Sequence, residues 1–335
     1  MAITIRDVAL AAGVSTATVS RALRGLPNVD DTTRLRVQKV ASDLDYVISP
    51  SASRLASGRT GSVAVITPFI ARWFFSTVLS GVESVLANAG IDLLLMSVSN
   101  STGQMRLPPA PRLRRRVDGA LVIAIPADDR ELHEILDLGM PTSMIGVSVE
   151  GVPSVTIDDV QASRTATQHL VNLGHQRIGL ISGAPTSPPF TAGHDRRRGF
   201  ADVLTEAGLE FDPGLEAYGY FTIPGGEQAM TDLLTQPVRP TAVFAMSDEM
   251  AFGALRAIRN HGLQPGRDIS ILGIDGHEVS ELLDLTTVAQ PVQDLGRIGA
   301  EALLEQLDGR ADLSDQTVQR LTTHLIVRGS TAPAR

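Results

Sequence analysis

From residue 60 onward, short apolar runs alternate with amphipathic segments of helical length, and this alternation constrains the fold more than any other feature. The strand-like runs are Val63–Ile66, Asp92–Met96, Ala120–Ile125, Thr142–Val147, Arg177–Ser182, Ala242–Ala245 and Ile269–Ile274. Helical patterns lie between and after them, near Phe75–Ala89, Val160–Leu173, Arg196–Ala207, Gly226–Leu234, Asp248–His261 and Asp294–Leu307. Strands alternating with helices predict parallel sheets, because a parallel pair needs a crossover long enough to hold a helix. Gly90, Gly174, Gly208 and Gly262 follow helical segments, where a left-handed residue closes the last turn. The expected class is α/β, with two doubly wound parallel-sheet lobes that hold a ligand between the C-terminal ends of their strands.

Composition removes several chemistries. Cysteine is absent, so there is no thiol nucleophile, no disulfide and no cysteine-based zinc site. Lys39 is the single lysine and no GxxxxGK[ST] occurs, which excludes a P-loop. No HExxH, GxSxG or GxGxxG after the first strand is present. His169, His175 and His194 are not spaced as a metal set, so neither metal nor cofactor is expected. The longest apolar run, Gly119–Ala127, is about half of what a membrane helix needs. With no signal peptide recognised, the cytoplasm is the expected location. Pro108–Pro111 and the arginines 112 and 114–116 read as a solvated loop and helix face rather than a second polyanion contact.

The net charge of −8 divides unevenly: the first 60 residues carry +3 and the rest −11. A basic head on an acidic body is what a chain needs when one end meets a polyanion. The head reads as three helices. Thr4-Ile-Arg-Asp7 is a capping-box pattern, Val8, Ala9 and Ala12 form an apolar stripe, and Gly13 stops the first helix. Ser15 caps a second helix, Thr16 to about Arg24, with Val19, Ala22 and Leu23 inward. A third runs from Asp30 or Asp31 to about Leu44. Two short helices joined by a glycine turn, followed by a packing helix, form a helix-turn-helix unit whose second helix enters the major groove.

The string Thr4-Ile-Arg-Asp-Val-Ala-Leu-Ala-Ala-Gly-Val-Ser-Thr-Ala-Thr-Val-Ser-Arg-Ala-Leu23, continued by Thr33-Arg34, Val37 and Tyr46, resembles the DNA-binding head of the LacI/GalR family of bacterial transcriptional regulators. The resemblance implies DNA contacts from Thr4, Ser15, Thr16, Ala17, Thr18, Ser20 and Arg21. Residues 49–59 read as a possible helix of about eight residues, too short to be stable alone. In the family this segment is a hinge helix that forms on operator DNA, and a leucine there wedges into the minor groove. Leu55 is the matching position, with Ser53 beside it. Ser49 stands where asparagine is usual, with Pro50 after it.

The resemblance extends through the body. Val155-Thr-Ile-Asp-Asp159 with His169-Leu-Val-Asn-Leu-Gly-His175, Ala245-Met-Ser-Asp248, Asp268-Ile-Ser-Ile-Leu-Gly-Ile-Asp275, Leu285-Thr-Thr-Val288 and Gln290-Pro291 match the family's periplasmic-binding-protein-like core in order. Asp159 stands where asparagine is usual. The resemblance implies effector contacts from Arg196, expected at a loop-to-helix junction, and from Asp275, Ser247 and Gln290, with Trp73, Phe74 and Phe75 as aromatic contacts. Gly146 stands where some relatives carry an acidic contact.

The expected organisation is a head over residues 1–48, a hinge over 49–59, and an effector-binding and dimerisation core over 60–335. Lobe one takes about 60–159 and 291–320, lobe two about 160–290 and 321–330. The expected protein is a sequence-specific DNA-binding regulator, a repressor and a homodimer on a palindromic operator, answering to a sugar or related metabolite and not an enzyme. No leucine heptads follow the last strand-like run, His324–Arg328, so no four-helix tetramer is expected. The rival reading is a solute-binding or sugar-modifying protein using the same core.

Overall fold

The structure is a computed structural model that describes residues 3–23, 25–46, 59–98, 106–184, 191–310 and 318–335. It divides into two compact units, one built by the N-terminal residues together with Arg115–Val117 and one by the remainder.

The head contains α1 (Ile5–Ala12), α2 (Thr16–Leu23) and α3 (Asp31–Asp43). The Thr4 amide and hydroxyl both donate to the Asp7 carboxylate, at 2.8 and 2.7 Å, which fixes the start of α1. Gly13 sits at φ 66° and returns its N–H to α1, so the chain turns directly into α2. Asp30 caps α3 by accepting from the Thr33 amide at 2.9 Å. Val8, Ala9, Ala12, Val19, Ala22, Val37 and Ala41 are buried against one another. These small side chains let three short helices cross closely, and the unit has a core of its own.

The second unit holds two six-stranded sheets. Sheet one uses β1 (Ser62–Thr67), β2 (Asp92–Ser97), β3 (Gly119–Ile123), β4 (Thr142–Ile145), β5 (Ser154–Ile157) and β11 (Val318–Leu321), in the spatial order β2-β1-β3-β4-β5-β11. Sheet two uses β6 (Ile178–Ser182), β7 (Glu216–Tyr218), β8 (Ala242–Ala245), β9 (Ser270–Asp275), β10 (Thr286–Ala289) and β12 (His324–Ile326), in the order β7-β6-β8-β9-β10-β12. The two orders are the same doubly wound pattern used twice. All strand pairs are parallel except β10 with β12, which run antiparallel. The chain passes between the lobes after β5, after β10 and between β11 and β12.

The flanking helices are α4 (Trp73–Asn88), α5 (Ala110–Leu113), α6 (Arg130–Leu136), α7 (Asp159–Asn172), α8 (Thr191–Glu206), α9 (Ile223–Leu234), α10 (Asp248–Asn260), α11 (Val279–Leu282) and α12 (Val292–Leu307). Two of the helix pairs cross on glycine. Gly296 of α12 lies against the Val78 carbonyl of α4, and Gly253 of α10 against the Ile223 carbonyl of α9, so tightly that a Cβ would overlap the oxygen. No described helix is long and apolar enough to cross a membrane.

The strands after Ala120 and Thr142 end earlier than their apolar runs. Ala124 and Gly146 take positive φ values of 52° and 79°, which turn the chain out of sheet one at the C-terminal ends of β3 and β4. Strands β5, β7, β10 and β11 escape the apolar-run reading because polar residues, among them Ser154, Glu216, Thr286 and Gln319, interrupt their apolar side chains. The arginines 112 and 114–116 are exposed around the short α5.

Candidate functional site

In the head, Ser15 caps α2. Its hydroxyl accepts from the Thr18 amide at 3.1 Å and bonds the Thr18 hydroxyl at 2.9 Å. Thr16 and Ala17 are exposed at the N-terminus of α2, and Arg21 is exposed one turn further along. Ser20 is half-buried on the same helix. Side chains of this kind at the start of a second helix can reach base edges in a major groove. Arg34 does different work: its guanidinium donates to the carbonyls of Ala22, Leu26 and Val29 at 3.3, 3.0 and 3.3 Å, tying the α2–α3 loop to both helices. Substituting Thr16 or Ala17 is therefore expected to change the preferred DNA sequence with the fold intact. Arg34→Ala is expected to lower head stability by about 1–2 kcal/mol while preserving that preference. Selection from a random DNA library, with thermal melts of each variant, reads both; an unchanged preferred site in the Thr16 and Ala17 variants would refute the assignment. Ser53 and Leu55, the proposed hinge contacts, lie outside the described residues.

In the core, a cleft of about 740 Å³ opens between the two sheets. It is lined from the C-terminal ends of both sets of strands, where a doubly wound sheet leaves a crevice. Arg196 and Asp275 lie at its floor, 5% and 7% exposed. Arg196 does not stand at a loop-to-helix junction: α8 starts at Thr191, so the residue is already in the second turn and its backbone is fixed. Its Nε donates to Asp159 Oδ1 at 2.7 Å, its Nη1 donates to the Met246 carbonyl, and Nη1 lies 3.7 Å from Asp275 Oδ1. Asp275 Oδ1 also accepts from Gln290 Nε2 at 2.7 Å. The adjacent Asp195 pairs with Arg198 instead.

The electrostatics follow from burial. Removal from water pushes the Asp275 carboxyl up to about 8, against the pull of Arg196. Burial raises Asp159 for the same reason, again opposed by Arg196. Burial disfavours a charged Arg196, but Asp159 and Asp275 more than offset it and hold the guanidinium protonated. The result is one fixed cation between two buried acid groups, with donors and acceptors aimed along the cleft floor. Such a group suits hydroxyls.

Phe74, Phe75, Ser247 and Gln290 also line the cleft. Phe75 is almost fully buried and packs edge-on against Phe69 and Phe74, with centroids 5.6 and 5.2 Å apart. Ser247 is the N-cap of α10, accepting from the Met250 amide at 3.3 Å. Trp73 is placed elsewhere. Its ring stacks on His277 at 4.4 Å and its Nε1 donates to Glu278, so it joins α4 of one lobe to the loop after β9 of the other instead of lining the cleft.

Several lining residues were not anticipated. Asp159 was noted only as a departure from the family pattern, and its role emerges from its contact with Arg196. Phe221 lines the cleft from a turn in which it and Tyr220 take φ values of 53° and 55°. Gly183 accommodates its ring, since a Cβ there would collide with it. Arg72 and Glu249 face the cleft from opposite lobes. Arg72 lies over the Phe69 ring at 3.7 Å; burial lowers its pKa and Glu249 raises it. Burial raises that of Glu249 and Arg72 lowers it. The cluster Tyr218-Gly-Tyr220-Phe221, in a chain that is 4% aromatic, was the available hint for Phe221.

The histidines have structural partners. His169 bonds the Thr331 hydroxyl at 2.9 Å, and His175 bonds Thr241, Ser270 and the Ala332 carbonyl, which sews the C-terminal tail to lobe two. Asp248 is fully buried and accepts from the Ser280 and Thr287 hydroxyls and the His277 amide, bracing the loop that carries Asp275.

Compared with known proteins, residues 4–49 match the family described as bacterial regulatory proteins, lacI family, and residues 167–331 match a periplasmic binding protein-like domain. The chain is 36% identical to the HTH-type transcriptional repressor CytR of Escherichia coli (strain K12), over 98% of this chain and 96% of that one. Its structure is similar to that of the lac repressor dimer bound to operator and the anti-inducer ONPF, with a TM-score of 0.87 and 29% identity over 99% of this chain and all of the other. It is also similar to a complex of the transcriptional regulator CelR with cellobiose, at a TM-score of 0.70 and 32% identity over 98% of this chain and 99% of the other.

Proposed function

The chain belongs to the LacI family of bacterial regulatory proteins and is a DNA-binding transcriptional regulator; from that premise we propose that it is a repressor whose operator affinity is set by a sugar or related metabolite bound at Arg196, Asp275 and Gln290. The observation that carries the reading is the buried Arg196 set at the floor of an interlobe cleft, in a chain that also has a complete helix-turn-helix head. A ligand touching both lobes stabilises one lobe arrangement over another. Its effect on DNA binding equals its differential affinity for those arrangements. The chain works as a homodimer on double-stranded palindromic DNA. Its functional parts are residues 1–48 for DNA contact, 49–59 for the hinge and 60–335 for effector binding and dimerisation, with lobe one at about 60–159 and 291–320 and lobe two at about 160–290 and 321–330. The cleft binds its ligand without converting it, since the floor groups are bonded to one another. The cytoplasm, where bacterial DNA lies, is the site of action.

A thermal-shift screen of sugars and nucleosides, followed by operator titration with each ligand found, tests the reading. Ligands that stabilise the core yet leave operator affinity unchanged would overturn it. The DNA side has its own signature. Two N-terminal segments of residues 1–60, each of charge +3, displace counterions from phosphates, so operator affinity is expected to fall at least about tenfold between 50 and 200 mM salt. Fluorescence anisotropy across that range measures it, and a flat response would contradict DNA binding through the head.

A further inference from the structure

Trp73 is the single tryptophan of the chain, and it stands outside the cleft lining to which its neighbours Arg72 and Phe74 contribute. Its ring is given to the other lobe. It lies on the His277 ring with centroids 4.4 Å and planes 24° apart, and its Nε1 donates to the Glu278 carboxylate, 205 residues further along the chain. Arg72, the N-cap residue of α4, is attracted by Glu249 at the start of α10. Two consecutive side chains of lobe one thus interact with lobe two.

The two halves of this contact are built differently. On lobe two the socket is held without Trp73. The His277 amide donates to Asp248 at 2.9 Å, the ring Nδ1 accepts from the Val279 amide at 3.0 Å, and Phe252 packs edge-on against the ring at 5.0 Å. A ring nitrogen that accepts an amide hydrogen carries no proton. Burial also holds the imidazole pKa below its usual value, against the pull of Glu278 and Asp248, so a neutral ring faces the indole. Of these contacts, only the indole stack and the Nε1 bond cross between the lobes. The socket is also continuous with the cleft floor. Asp275, 3.7 Å from Arg196 and bonded to Gln290, lies two residues before His277. Gly276 between them donates its N–H to Thr287 at 3.3 Å, and a Cβ there would collide with Ala289. Residues 275–278 therefore carry the floor acid at one end and the partner of Trp73 at the other.

We propose that Trp73, His277 and Glu278 form a clasp that holds the two lobes in one arrangement and biases the lobe equilibrium through which operator affinity is set. Trp73 is a positioning residue in this role, acting through the His277 socket. The inference rests on the effector-controlled reading above and adds a bias that the protein supplies from its own side chains. Losing an aromatic pair that exists in only one of two arrangements shifts their ratio by about three- to tenfold.

The indole reports on its own surroundings, because no other tryptophan emits. Full-length wild-type protein is compared with Trp73→Ala, Trp73→Phe, His277→Ala, Glu278→Ala and the Trp73→Ala/His277→Ala double variant. Tryptophan emission is recorded, and anisotropy titrations use the DNA site selected from a random library. His277→Ala and Glu278→Ala are expected to change the Trp73 emission. Trp73→Ala and His277→Ala should each change the operator Kd by about three- to tenfold in the same direction, with the double variant changing it no further than either alone. Trp73→Phe, which keeps a ring on His277, should restore most of the wild-type value. Unchanged emission in His277→Ala would show that the stack is not made in solution. Wild-type operator affinity in both single variants, or additive shifts in the double variant, would show that the indole only packs. If Trp73→Ala lowers thermal stability, Glu278→Ala repeats the test at an exposed side chain, with a Kd shift in the same direction expected and no shift counting against the clasp. The ligand screen on wild-type protein keeps the two readings apart. A ligand that alters wild-type operator affinity while every clasp variant binds DNA as wild type removes the clasp alone; shifted clasp variants without any ligand response remove the effector reading alone.

Discussion

Arg196→Ala is expected to abolish the effector response and to destabilise the core by about 3–5 kcal/mol, because it leaves buried carboxylates without their cation. The side chain holds Asp159 at 2.7 Å, lies 3.7 Å from Asp275 and donates to the Met246 carbonyl, so it links α7, α8 and the ends of β8 and β9. Its loss also has a pH signature. Burial raises the folded-state pKa of both acids above the ordinary value of 3.8, Asp275 to about 8 even with Arg196 present. A folded state that binds protons more readily than the unfolded one gains stability as pH falls through the folded pKa toward the unfolded value. The deficit of the variant is therefore largest above pH 8 and shrinks toward pH 4. Denaturant melts of both proteins across that range, with operator titrations at neutral pH, check the stability and the response. A variant with wild-type stability at every pH would show that the cation does not sustain the site.

Gly253→Ala is expected to cost about 3 kcal/mol or more, at the upper end of what overpacking produces. The added methyl would overlap the Ile223 carbonyl oxygen, so α9 and α10 must separate along the face that covers sheet two. Gly208→Ala provides the contrast. Gly208 has φ 69° and nothing within 4 Å of a built Cβ, so the penalty there is conformational and about 1 kcal/mol. Thermal or denaturant unfolding of the two variants separates crowding from backbone strain; equal losses would remove the packing argument for Gly253.

Local patterns in the sequence were enough for the head. Its capping residues, its glycine turn and its apolar stripe all act within a few residues of one another, and each recurs in the structure as an Asp7, Ser15 or Gly13 contact. The seven long apolar runs of the core were equally legible, because a strand buried on both faces leaves a contiguous signal. The strands β5, β7, β10 and β11 were not, since polar residues such as Ser154, Glu216, Thr286 and Gln319 interrupt them and leave no contiguous apolar signal. The resemblance supplied Arg196, Asp275, Ser247 and Gln290 as candidates. It could not supply their partners.

What the sequence determined by itself was therefore the class of fold and the helix-turn-helix head, with Arg196, Asp275, Ser247 and Gln290 as candidates for the cleft. Tertiary structure alone decided how they are used. Asp159 and Arg196 are 37 residues apart, and Arg196 in α8 and Asp275 at the end of β9 are separated by β7, α9, β8 and α10. No local pattern encodes a bond across that distance. The same holds for Trp73, which a run of three aromatics would send into the cleft together with Phe74 and Phe75. Its contacts with His277 and Glu278 of the other lobe hold it there instead. Phe221, Arg72 and Glu249 reach the cleft only because two sheets with the same strand order face each other across the crevice at their C-terminal ends, a juxtaposition created by long-range packing and written in no single segment of the chain.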